Sequence, residues 1–207
     1  LCAKVAVVLA AKGIEAEWRD LPSEASLKRH ENIVWNTGVP AIVDGKFILS
    51  ESDVIAEYLE ESYPEPTLLP GDTVSRSRIR DLSRYHDLYI EPPVRTLFGQ
   101  LDPRKQDMDV ILPVVEQLHL GLSNLEKLIK PQPYLASKTL SLADCGFPAT
   151  LMQADIILNV LGMNSKPTTK ITKWRETVEK NPAVESVMNE FRPTSIAGIE
   201  RKLNMVG

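Results

Sequence analysis

Apolar positions follow two rhythms along the chain, and the change from one to the other divides it. The stretch Val5-Ala6-Val7-Val8-Leu9-Ala10-Ala11 is apolar on most sides. With Gly13 placed to stop it, it predicts a helix over Cys2–Lys12 that is buried on more than one face. Residues 14–19 then alternate, which predicts a strand with Ile14, Ala16 and Trp18 facing inward. Residues 22–32 are polar and predict a short helix or loop. Ala41-Ile42-Val43, Asp44-Gly45 and Phe47-Ile48-Leu49 then spell strand, two-residue turn and returning strand. Ser50-Glu51-Ser52 opens a helix to Ser62, whose Val54, Ile55, Tyr58 and Leu59 form a wide apolar arc.

The stretch from Tyr63 to Asp72 carries Pro64, Pro66, Pro70 and Gly71 and reads as a linker. Beyond it the pattern is helical. Asp72 or Thr73 caps a long helix through Arg84, Tyr85 and Tyr89, which Pro92-Pro93 must kink or interrupt. Residues 106–130 predict a second long helix, with Ile111, Val115, Leu118, Leu122, Leu125 and Ile129 at helical spacing and Pro113 as an awkward early residue. Ser141-Leu142-Ala143-Asp144 is a capping box opening a helix to about residue 160. Residues 168–179 and 182–191 supply two shorter helices, and the tail after Pro193 is poorly patterned. The domains read from this pattern are 1–66 and 67–207.

Composition narrows the function classes. The 207 residues are 43% apolar and 25% charged, an ordinary globular balance. A net charge of −4 makes no case for a nucleic-acid surface. Cys2 and Cys145 give neither a disulfide framework nor metal spacing, which fits a reducing, cytoplasmic compartment. The apolar run at Val5 is too short to span a membrane. His30, His86 and His119 are scattered with no triad or metal spacing and read as surface or helix-face residues.

The candidate site lies where the hairpin meets the helix. The residue before Pro40 is pushed to an extended conformation, and a Val39-Pro40 bond in the cis form would hold the main chain of Val39 out toward an extended ligand. The helix start at Glu51-Ser52 offers free N–H groups and a positive dipole end to a carboxylate. Such a site holds a short acidic peptide by backbone pairing at one end and a helix N-terminus at the other.

This arrangement of Val39, Pro40, Glu51 and Ser52, continued by the Tyr-Pro…Leu-Leu-Pro linker and the Ser-x-x-Asp box, resembles the cytosolic glutathione transferases, with the class (theta- or zeta-like, or bacterial) unresolved. The resemblance covers residues 1–191. It implies an α/β thioredoxin-like N-terminal domain, an all-α C-terminal domain, and glutathione bound through a cis Val39-Pro40 and the Glu51-Ser52 pair. It implies a small electrophilic second substrate in a pocket lined by Tyr85 and Tyr89, a homodimer, a role in detoxification and no metal. Many members carry Lys or Gln where this chain has Gly38, leaving Lys28, Arg29 and His30 as candidates for the glycyl carboxylate of glutathione. The thioredoxin-like half begins with a central strand before the first helix. That strand, with the catalytic Ser, Tyr or Cys, is expected to precede Leu1. Cys2 is a weak substitute, about one turn too deep and better read as packing. A protein that keeps the fold for binding or stress regulation, or a glutathione-dependent isomerase or reductase, is the alternative to a conjugating enzyme.

The chemistry sets a demand. A free thiol titrates near pH 8.5, and lowering that by about two units takes about 2.7 kcal/mol of thiolate stabilisation. A helix N-terminus supplies about 0.5–2 kcal/mol and one hydrogen bond to the charged sulfur about 1.5–3 kcal/mol. Together they suffice.

Overall fold

The computed structural model describes residues 1–19, 38–166 and 168–204. The N-terminal half holds α1 (Cys2–Lys12), the strands β1 (Ala41–Asp44) and β2 (Phe47–Ser50), and α2 (Ser52–Ser62). The C-terminal half is helical: α3 (Thr73–Tyr85), a π-helical turn (His86–Ile90), α4 (Glu91–Gly99), α5 (Met108–Leu128), α6 (Leu142–Cys145), α7 (Phe147–Val160), α8 (Thr169–Val178) and α9 (Pro182–Leu203). The expected fold class, a thioredoxin-like half joined to a helical one, is the one observed.

Helix α1 is the inner layer. Its Val5, Val7 and Val8 are at most 1% exposed. It packs on α2 on one side and on α6, α7 and α9 of the helical half on the other. A helix with apolar residues nearly all round is stable only when covered in this way. Gly13 ends it with φ 65, a left-handed conformation that costs glycine little.

The hairpin pairs antiparallel in the register Ala41↔Ser50 to Asp44↔Phe47, turning at Asp44-Gly45 as the sequence predicts. It is tied to α2 by the Tyr58 hydroxyl, which donates to Asp44 Oδ2 at 2.8 Å, and by the Phe47 and Tyr58 rings at 5.1 Å. Residues 14–19 are not in a strand. Trp18 is 60% exposed, and the only sheet among the described residues is the hairpin itself. Alternation marks a chain able to form a strand, but a ladder needs a neighbour, and no described segment pairs with this one. The expected helix or loop at 22–32 lies outside the described residues.

The linker is fastened by a buried ion pair. Lys12 Nζ lies 2.6 Å from Glu60 Oε2 and donates to the carbonyls of Tyr63 and Pro66. Glu60 in turn accepts from Thr67 Oγ1 and from the backbone N–H groups of Leu68 and Leu69. The last turns of α1 and α2 are thereby locked onto the chain that leaves for the helical half.

Prolines shape that half. Pro92 and Pro93 cannot donate to carbonyls one turn back, and the chain meets this with the π-helical turn immediately before them, where Glu91 N–H reaches back to His86 O. Tyr89 O then sits where a Cβ on Gly121 would come within 3.0 Å, so α5 can approach this closely only at a glycine. Pro148 accompanies a break at Gly146 that separates α6 from α7. The capping box forms as read. The Asp144 carboxylate accepts from Ser141 N and Oγ, Leu135 N and Trp174 Nε1. The tail corrects the sequence reading: α9 continues through Pro193 to Leu203. Val184, Met188, Ser195 and Ile199 form one buried face, and this packing outweighs the single donor lost at the proline.

Replacing Lys12 by Met would strand the Glu60 carboxylate away from water. Denaturant unfolding should show a loss of about 3–5 kcal/mol, as for other broken buried pairs.

Candidate functional site

The hairpin delivers the chain to α2 through a constrained junction. The Val39-Pro40 bond is cis, Val39 is 50% exposed and Pro40 is buried. Glu51, the N-cap of α2, has φ 74 and is the one non-glycine residue with positive φ among the described residues. A residue with a Cβ enters this region at a cost of order 1–3 kcal/mol, and such strain is concentrated at sites that use it. The Glu51 side chain makes no cap hydrogen bond to the first turn of α2. Ser52, at the first helical position, is 3% exposed. Val39, Pro40, Glu51 and Ser52 thus border one hairpin-to-helix junction.

Behind this junction lies a buried polar cluster that the sequence reading missed. Lys4, in the first turn of α1, is 1% exposed, and its Nζ lies 2.6 Å from Asp53 Oδ1 and 2.9 Å from Asp87 Oδ2. Ser83 Oγ donates to the same Asp53 oxygen. Asp87 Oδ1 is 2.6 Å from His86 Nδ1, and His86 Nε2 is 2.8 Å from Thr150 Oγ1. A neutral ring with the proton on Nδ1 donates to Asp87 and accepts at Nε2 from Thr150, whose Oγ1 also lies 3.3 Å from Gly146 O. Burial drives the His86 pKa below its ordinary value, and the Asp87 carboxylate only partly offsets this. For Asp87, burial pushes upward, but the His86 hydrogen bond and Lys4 outweigh it and hold the carboxyl at about 2. The reading of His86 as a surface or helix-face residue is therefore corrected. The signal in the sequence was a lysine on an otherwise apolar helix and an Asp-His pair beside two prolines.

The other candidates fall elsewhere. Cys2 is partly exposed at the start of α1, and burial raises its thiol pKa. Cys145 is fully buried, its Sγ donates to Ser141 O, and burial keeps it protonated. The Tyr85 and Tyr89 rings meet at 4.8 Å, tilted by 44°, and the Tyr85 hydroxyl donates to Gly121 O on α5. At about 100° per residue they lie on the far side of their helix from Ser83 and Asp87, which face α1 and α2. Lys28, Arg29 and His30 lie outside the described residues. His119 is partly buried and its pKa is lowered, chiefly by burial. No group of His, Cys, Asp and Glu among the described residues is arranged to hold a metal, and no described helix is long and apolar enough to cross a membrane. Two clefts of about 420 and 380 Å³ occur in the helical half, away from the junction.

Comparison with known proteins gives this geometry its class. Residues 1–67 match the sequence profile of the glutathione S-transferase N-terminal domain, and residues 85–182 that of the glutathione S-transferase C-terminal domain. A probable maleylacetoacetate isomerase from Caenorhabditis elegans is 29% identical over 195 residues, 92% of this chain and 89% of that one. A stringent starvation protein A homolog from Pasteurella multocida is 31% identical over 70% of this chain and 65% of that one. Among solved structures, the Tau class glutathione S-transferase from mango superposes with a TM-score of 0.77 over 97% of this chain and 92% of its own, at 22% identity. A maleylacetoacetate isomerase from Anaeromyxobacter dehalogenans, with dicarboxyethyl glutathione and citrate in its active site, superposes at 0.68 over 94% and 88%, at 23% identity. Identities this low show a shared fold. The matched profiles, spanning both halves, make the chain a member of the glutathione S-transferase family, and its activity class is glutathione S-transferase.

The cluster makes stability depend on pH in a stated direction. The folded-state pKa of His86 is below the ordinary 6.5, so its contribution is complete above about pH 6.5 and is lost as pH falls through the lowered value. Asp87, held at about 2, contributes above about pH 4 and loses this only as pH falls toward 2. The urea midpoint should therefore fall between pH 7.5 and pH 5.5, and His86→Gln should flatten that fall.

Proposed function

We propose that the junction of β2 and α2 holds the γ-glutamyl end of glutathione, and that the N-terminus of α1 activates its thiol for attack on a small electrophile. The observation that carries this is the α2 start: Glu51 in a left-handed conformation at the N-cap of the helix, with Ser52 buried at its first position. The positive end of α2 and its first-turn N–H groups suit the γ-glutamyl carboxylate. Ser52 supplies a hydroxyl, Glu51 a carboxylate for the ammonium, and Val39, exposed beside the cis Pro40, a main chain for the cysteinyl unit to pair with. The α1 N-terminus, without a side-chain cap, supplies a dipole to the sulfur. Cys2 is read as packing and not as the nucleophile: it lies about one turn deeper than the catalytic position, and burial raises its thiol pKa.

Within this chemistry a second reading has support of its own. Relatives named as maleylacetoacetate isomerases match nearly the whole chain. An isomerase of this kind would draw on the same bound glutathione as a conjugating enzyme. The same site serves both, so the choice rests with the second substrate. A cytoplasmic location and the domain limits 1–66 and 67–207 complete the proposal, the cut falling in the linker that Lys12 and Glu60 fasten.

A homodimer is also proposed. Several charges on α2 and α3 are engaged within the chain: Arg80 pairs with Glu57 at 2.8 Å, Arg78 with Asp81, and Glu60 with Lys12. Ile55 and Leu59 are also buried within the chain. What stays open is apolar: Val43, Phe47, Val54 and Val74 are between 47% and 77% exposed, on the hairpin, α2 and the start of α3.

Glutathione titration into the protein and into Ser52→Ala and Glu51→Ala should show each variant losing about 1–3 kcal/mol. Unchanged affinity in both would remove the assignment. Cys2→Ser should retain most glutathione-dependent turnover, and a collapse at unchanged stability would return Cys2 to the reaction. Maleylacetoacetate and 1-chloro-2,4-dinitrobenzene, assayed side by side with glutathione, separate the isomerase from the conjugating enzyme. Activity with neither, alongside intact glutathione binding, would favour a regulatory protein. Light scattering should give about twice the 23.1 kDa chain mass, and a value near 23.1 kDa rejects the dimer.

A further inference from the structure

Lys4 is out of place by every local rule. A cation in the first turn of a helix opposes the macrodipole, and a buried ammonium is expensive. An apolar residue of similar volume would fill the contact between the two halves without that cost, and such replacements are often neutral or stabilising. Packing alone therefore does not account for a lysine that is 1% exposed.

What the ammonium adds is direction. It joins the first turn of α1 to the first turn of α2 through Asp53, at 2.6 Å, and both to the helical half through Asp87, at 2.9 Å. Neither carboxylate is loose. Asp53 also accepts from Ser83 of α3, and Asp87 is braced by His86, which reaches Thr150 of α7. His86 is braced in turn: a Cβ on Gly146 would come within 2.7 Å of its Nδ1, so the ring fills the space against the α6–α7 break, edge-on to Phe147 at 4.9 Å. The π-helical turn that begins at His86 belongs to the same assembly. The chain of contacts runs from the helical core to the two helix starts at which the halves meet.

Those two starts act on two different groups of one ligand in the reading given above, on which this inference rests. The N-terminus of α1 faces the thiol and that of α2 faces the γ-glutamyl carboxylate. A single tripeptide engages both only if their separation and aim are fixed, and errors of about 1 Å in such placement cost up to about a hundredfold in rate. We propose that Lys4 is a positioning residue of the glutathione site: its ammonium, held by Asp53 and Asp87, sets the placement of the α1 and α2 N-termini relative to each other. Lys4 does not touch the substrate in this scheme. Its effect falls on glutathione and leaves the electrophile unaffected.

The test compares Lys4→Arg, Lys4→Met and the double variant Lys4→Met/Asp53→Asn, which removes the ammonium without leaving Asp53 charged and unpaired. Each is assayed with 1-chloro-2,4-dinitrobenzene while glutathione and the electrophile are varied separately, and its urea midpoint is measured. In the folded double variant the glutathione KM should rise about tenfold or more with the electrophile KM unchanged, and Lys4→Arg should stay within about threefold of the parent. Asp87→Asn leaves the Lys4–Asp53 pair in place and removes the charge of the second carboxylate on the ammonium, the one that also faces His86. It should show the same split at smaller size, and it carries the test if the double variant does not fold. A glutathione KM and kcat within about twofold of the parent, with only the urea midpoint lowered, would overturn the proposal and leave Lys4 a stability element. Glutathione binding by the parent with no split in the variants defeats this inference alone. Absence of glutathione binding by the parent defeats the proposed site and this inference with it.

Discussion

The structure depends on the burial of α1 between two halves of different kind. An apolar helix covered on one side by α2 and on the other by α6, α7 and α9 has no freedom to tilt toward solvent, and its two lysines must find partners inside. Lys12 finds Glu60 and the linker carbonyls at one end, and Lys4 finds Asp53 and Asp87 at the other. Burying two ammonium groups is affordable only because each meets carboxylates already held by other donors. Two lysines at opposite ends of one helix, with three ion pairs between them, therefore fix how the halves meet. The hairpin-to-helix junction rides on that arrangement.

Much of this was legible in the chain. The Asp44-Gly45 turn, the helix from Ser52 to Ser62, the stop at Gly13 and the capping box at Ser141 rest on short-range rules, and local chemistry decides them wherever the rest of the protein lies. The disruption expected at Pro92-Pro93 is present, although the form it takes, a π-helical turn, depends on the fit of Tyr89 against Gly121. The readings that changed all turned on partners distant in sequence. Residues 14–19 alternate without a neighbouring described strand to pair with. The helix through Pro193 holds because α1 covers its inner face. His86 lost its surface assignment because Thr150 and Gly146 close around it.

The site divides in the same way. Val39, Pro40, Glu51 and Ser52 border one hairpin-to-helix junction, and the order of turn, strand and helix start that places them there is within reach of local rules. The positive φ of Glu51 was not, since nothing in a Ser-Glu-Ser triplet announces a left-handed residue with a Cβ. Tyr85 and Tyr89 were placed by helix and residue type alone, and the phase of that helix sends them toward α5. Lys4 looked like a stray charge on an apolar helix because its partners lie on two other elements.

The central claim is that the α2 N-terminus is a carboxylate site for the γ-glutamyl end of glutathione. Calorimetric titration with glutathione and with an analogue whose γ-glutamyl α-carboxylate is converted to the neutral amide tests it most directly. The account predicts that the amide binds at least about tenfold more weakly, since a charge-assisted hydrogen bond and the favourable dipole are lost together. Equal affinities for the two ligands would contradict it.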